Sequence, residues 1–144
     1  MSGEPAPELQ PINSSNVLSV LSEQKVISLL NYTNELSFDL SDPEDPVSVI
    51  LANLVTASIG FVTGFIARNP ALISNSFIKA LNLHIAVYYI FTFNPETPVP
   101  ESVKSNFNMA VSTLMQISNG SLSLTTADTN LLLTAYTQES FLNY

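Results

Sequence analysis

Residues 83–91 read Leu83-His84-Ile85-Ala86-Val87-Tyr88-Tyr89-Ile90-Phe91, with no charge on any side. The apolar spacing Phe77, Ile78, Leu81, Ile85, Tyr88, Phe91 predicts a helix from Ser76 to about Phe93, capped by Ser74-Asn75. A helix that is apolar nearly all round must be covered on several sides. One helix therefore sits in the middle of whatever this chain builds. Pro95, Pro98 and Pro100 follow it as a stiff turn, and Glu101 opens another helix with an acid in its first turn. Val103, Phe107, Ala110, Val111, Leu114 and Ile117 give that helix its core face, and Asn119-Gly120 is a stop signal.

Upstream, Val17, Leu18 and Leu21 and then Val26, Ile27, Leu29 and Leu30 repeat at helical spacing. They predict two short helices, or one broken near Ser22, with Ser14 or Ser15 as the first cap. Asn31–Asp42 is a loop rich in Asn, Ser and Asp. Asp45-Pro46 then starts a long helix, and Asn69-Pro70 ends it near Arg68. Its expected inner stripe is Val47, Ile50, Leu51, Leu54, Ala57, Phe61 and Phe65. Gly60 and Gly64 lower helix propensity by about 1 kcal/mol each relative to alanine, so close packing against them is expected. The fold class is all-α: four to five helices in a compact bundle, with an extended N-terminal arm and an extended or partly helical C-terminal tail. The divisions are an arm at 1–13, holding Pro5, Pro7 and Pro11, a helical domain at 14–124, and a docking tail at 125–144.

The uncharged run Val47–Ala67 spans 21 residues and contains a GxxxG spacing, so length and motif both permit a membrane span. Ser48, Asn53, Thr56, Ser58 and Thr63 interrupt it, its upstream flank is acidic, and no Lys/Arg cluster sets an orientation. The run is read as a core helix, and no membrane partner is expected. The N-terminus lacks the basic start and apolar run of a signal peptide.

Twelve acids against four bases give a formal net charge of −8. Too few cations are present to neutralise a run of phosphates, so tight nucleic-acid binding is not expected. Eight of the acids lie in residues 1–45, leaving four acids and three bases for the rest. A surface so poor in charge suits coverage by partner subunits. A neutral surface of Ser, Thr and Asn is the alternative. The chain has no cysteine, hence no disulfide and no thiolate metal site.

No catalytic constellation is legible, so the chain is not read as an enzyme, and no cofactor or metal is expected. His84, the only histidine, lies among Leu81, Ile85 and Tyr88 with no acid a helical turn away, and is read as a core or interface residue. Asp39, Asp42, Glu44 and Asp45 are read as a helix start and a solvated loop, because Pro43 and Pro46 break the spacing of a calcium loop. No nucleophile elbow, phosphate loop or dinucleotide fingerprint is present.

The tail is too apolar for an ordinary solvated terminus, with Asp128 and Glu139 as its only charges. Leu131, Leu132, Leu133, Tyr136, Phe141 and Tyr144 are the candidate partner-binding residues. They read as an arm that docks on a neighbour by strand addition or as a short amphipathic helix. The alternative is that the tail folds back over its own core.

Four segments carry a resemblance. They are Asn16-Val17-Leu18 through Glu23-Gln24-Lys25-Val26-Ile27-Ser28-Leu29; Ala57-Ser58 with Phe65-Ile66-Ala67-Arg68; Ile85–Phe91; and Val103-Lys104 through Gly120-Ser121-Leu122-Ser123-Leu124. In this order they resemble the small virion-protein family of Mu-like phages and prophages, whose members look like head-to-tail connector adaptors. The likeness covers about residues 14–124. Val87 departs from a frequent arginine and Asn69 from a frequent aromatic. The resemblance implies a structural virion protein of a tailed phage, a ring-forming homo-oligomer on the portal protein that meets the adjacent tail or stopper protein. DNA would pass through the ring without specific binding. Assembly would take place in the host cytoplasm, with the final location in the virion neck at the head–tail interface. The competing reading is a small monomeric or dimeric helical binding module without catalysis.

Overall fold

The structure is a computed structural model that describes residues 9–31, 39–122 and 124. Among these residues it is all-α, with five α-helices and no strand. Helix α1 is Ser14–Leu18, α2 Glu23–Leu30, α3 Pro46–Phe65, α4 Ser76–Thr92 and α5 Glu101–Ser118, with a 3₁₀ turn at Pro70–Ser74 between α3 and α4.

Helix starts follow from local chemistry. Asn13 caps α1: its side chain accepts from the Asn16 N–H, and the Asn16 side chain accepts in return from the Asn13 N–H. Asn13 thus takes the place expected of Ser14 or Ser15, which are already helical. Ser22 caps α2 by accepting from the Lys25 N–H. Asp45 accepts from the Val47 N–H, and Pro46, which has no N–H to leave unpaired, opens α3. Asn75 accepts from the Phe77 and Ile78 amides at the head of α4. At the end of α5 the chain turns through Gly120 at φ +84°, a conformation that a Cβ disfavours.

Helix α4 is the centre of the packing. It touches α1, α2, α3, α5 and the 3₁₀ turn. Twelve of its seventeen residues are buried, and its two halves serve two apolar clusters. Phe77, Ile78, Leu81 and Ile85 join Val62, Ile66, Ala110 and Leu114. Ala86, Val87, Ile90 and Phe91 join Val17, Leu21, Val26, Leu30, Leu51 and Val103. Each fully buried aliphatic side chain contributes about 1.5–3 kcal/mol relative to exposure. Part of the N-terminal arm belongs to this body. Ile12 is buried in the first cluster, and the Gln10 N–H donates to Ser74 Oγ at 2.7 Å.

Helix α3 differs from expectation on two counts. It ends at Phe65, with Ile66 as its C-cap, and its buried line is Val47, Leu51, Val55, Ser58 and Val62. Ala57, expected inside, is exposed. Gly60 and Gly64 are exposed too, and a Cβ at either would meet nothing within 4 Å, so no close packing within the chain compensates them. The small residue that faces inward is Ser58, whose hydroxyl donates to the Val55 carbonyl at 2.7 Å.

Candidate interaction surface

His84 is fully buried on α4. Burial disfavours the imidazolium and pushes the ring's pKa down to about 3, so it is neutral at ordinary pH. Asn82, also fully buried, has no hydrogen-bond partner for either side-chain polar atom among the described residues. The acidic loop is turned toward its own backbone. Asp39 Oδ1 accepts from the hydroxyl and the N–H of Ser41, which lowers its pKa. Asp42 accepts from the Glu44 N–H, and Asp45 accepts from the amides of Asp39 and Val47. Among the described residues no group of three or more His, Asp or Glu could hold a metal ion.

The outer surface has a different character. The solvent side of α3 presents Val49, Ala52, Asn53, Thr56, Ala57, Gly60, Thr63 and Gly64, without a charge. Val49 keeps 44% of its surface exposed, which is high for a valine in a long helix. Among the described residues α3 alone is a helix long and apolar enough to cross a membrane.

Along one flank of α3 lies a chain of five half-buried rings. Phe61 and Phe65, four residues apart on α3, meet edge-on at 5.2 Å. Phe61 also meets Tyr89 of α4 and Phe107 of α5, each at 6.4 Å. Tyr88 stacks on Phe107 at 3.9 Å with ring planes 17° apart. Such pairs add about 0.5–1.5 kcal/mol each beyond burial. The rings tie three helices together and still leave aromatic surface facing water. Burial raises the pKa of Tyr89, so its hydroxyl stays a neutral donor.

A third feature is a groove of mixed lining at the bundle end, about 270 Å³, between the exit of α3, the 3₁₀ turn and the exit of α5. Phe65, Leu72, Ile117, Leu122 and Leu124 line it, with Arg68 and Asn69 at the same opening.

The candidate tail residues Leu131, Leu132, Leu133, Tyr136, Phe141 and Tyr144 lie outside the described residues. The ring cluster had no place in the sequence reading. Its members were visible there only as separate stripe positions on three predicted helices. Their meeting depends on α3 and α5 flanking the same side of α4. Compared with known proteins, the chain matches no family model, no curated protein and no solved structure.

Proposed function

We propose that this chain is a non-catalytic structural subunit that works by binding other protein subunits, and that it serves as a head-to-tail connector adaptor in the neck of a tailed-phage virion. The observation that carries the binding role is the uncharged outer side of α3 flanked by five half-exposed rings. Interface cores are depleted in charge and enriched in aromatic residues, and buried aromatics dominate their energetics. The phage assignment rests on the ordered resemblance over residues 14–124. In this reading copies form a ring on the portal protein, the adjacent tail or stopper protein meets the other side, and the apolar tail residues supply further contact. A net charge of −8 suits a channel wall that DNA passes without binding.

The test is light scattering and negative-stain microscopy of the purified chain, alone and with the portal protein encoded beside it. Rings, or a portal complex carrying a new disc, are expected. Gly60→Glu, which places a charge on the outer side of α3, should abolish that assembly and leave the helical content unchanged. A monomer that ignores the portal would overturn the connector assignment and leave the binding-module reading. A chain that dissolves only in detergent would instead assign the α3 face to lipid.

A further inference from the structure

The groove at the bundle end is open and lies on the chain's own exit route, with aliphatic and aromatic side chains beside the polar Arg68, Asn69 and Ser118. Ile66 forms its floor and is 2% exposed, and Leu122 and Leu124 stand in its wall, packed against the second core cluster. The Gly120 turn at φ +84° reverses the chain so that the Leu122 N–H donates back to the Gln116 carbonyl at 3.1 Å. Leu124, the last described residue, is itself part of the groove's lining. Its volume, about 270 Å³, lies just under the range of drug-sized pockets and suits a few aliphatic side chains.

We propose that this groove is the seat of the chain's own residues 131–133, the triple leucine of the C-terminal tail. Three observations select that occupant. The first is reach: Leu131 lies seven positions after Leu124, at most ~25 Å of extended chain, ample for doubling back to the groove that Leu124 lines. The second is charge. Arg68, the only arginine of the chain, stands at the opening, and the first charge after Leu124 is Asp128, between the exit and the leucines. Among the described residues no carboxylate forms an ion pair with Arg68. The third is concentration. A short tether presents its segment at an effective concentration of order millimolar, which a second copy at micromolar concentration does not match. The seat does not depend on the connector reading and holds equally for a free binding module. Where the tail is to grip a partner, that partner must first displace it.

The chain has no cysteine, so a pair of introduced thiols reports the seat directly. In full-length protein, Asn69→Cys with Leu132→Cys places one thiol at the groove opening and one on the segment. Asn69 is exposed and its side chain makes no cap bond, so the fold tolerates the change. The control pair is Thr56→Cys with Leu132→Cys, on the open side of α3, nine residues before Phe65 at the groove and about 14 Å from it along the helix. Mild oxidation should close the groove pair within one chain at roughly tenfold the yield of the control, the enrichment expected of a seated over a merely tethered segment. Leu131→Asp with Leu133→Asp in the same background should remove that excess, and Arg68→Glu should reduce it, with circular dichroism unchanged. Equal yields for the two pairs, or a yield indifferent to the aspartates, would overturn the proposal. Disulfide-linked dimers in place of closed monomers would overturn it in favour of a second copy's tail.

Discussion

Helices α3 and α4 are both long and apolar, yet the structure uses them in opposite ways. Helix α3 has no charge and buries five of its twenty residues. Helix α4 carries Lys79, His84, Asn82 and two tyrosines, and buries twelve of seventeen. The more polar helix is inside. Apolarity states what a helix tolerates, and packing neighbours state what it receives. Helix α4 is surrounded because α1, α2, α3, α5 and the 3₁₀ turn all reach it. Helix α3 leaves an uncharged side in solvent, and that side is the surface proposed for a partner.

Breaking the interior of α4 should cost most. Ile85 is fully buried in the second cluster, and Ile85→Ala should lose about 2–5 kcal/mol of unfolding free energy by urea denaturation. Val49→Ala on the outer side of α3 should stay within about 0.5 kcal/mol of the parent. Losses of similar size at both positions would erase the contrast between the two helices.

The next largest effect is a pH dependence. His84 has a folded pKa near 3 against an ordinary 6.5, so the unfolded chain binds the proton first. Its contribution is intact above pH 6.5 and declines as pH falls toward 3. At pH 4.5 the decline is about 2–3 kcal/mol, from about 1.4 kcal/mol per pH unit. The exposed carboxylate of Asp39, whose pKa is also lowered, acts in the same direction. His84→Gln isolates the histidine component. Stability curves for the two proteins should converge as pH drops from 7 to 4.5, and parallel curves would place the acid sensitivity elsewhere.

Asn82 sharpens the point that α4 was buried by its neighbours despite its polarity. With neither polar atom bonded among the described residues, Asn82→Leu should raise stability by about 1–3 kcal/mol. A fall in the melting temperature would mean that the amide serves the interior after all. The smallest effect belongs to α3. Gly60→Ala adds a methyl group into open space and should stabilise the isolated chain by about 0.5–1 kcal/mol. If assembly weakens while the subunit gains stability, the glycine is kept for close approach of another subunit.

Much of the helical layout was legible because its signals are local. Asp45-Pro46, Asn75 and Gly120 mark starts and stops through hydrogen bonds and torsions that span at most a turn, and Glu101 places a charge in the first turn of α5. The central position of α4 was legible too, since an all-round apolar helix has nowhere else to go. The inward side of α3 was not, because no charged residue in that helix marks its outside. Spacing places Ala57 inward and helix propensity predicts close packing at the two glycines, yet all three face solvent. The cap of α1 is Asn13 where Ser14 or Ser15 is expected, one position earlier than the sequence pattern suggests.

The sequence by itself determined the fold class, most helix starts and the shortage of charge after residue 45. These follow from periodicity, capping and composition, which act over a few residues at a time. Only the tertiary structure decided which side of α3 is exposed, that five rings from three helices meet, and that the exits of α3 and α5 form one groove. Those outcomes depend on how α3 and α5 are placed about α4, and short-range chemistry does not encode that placement.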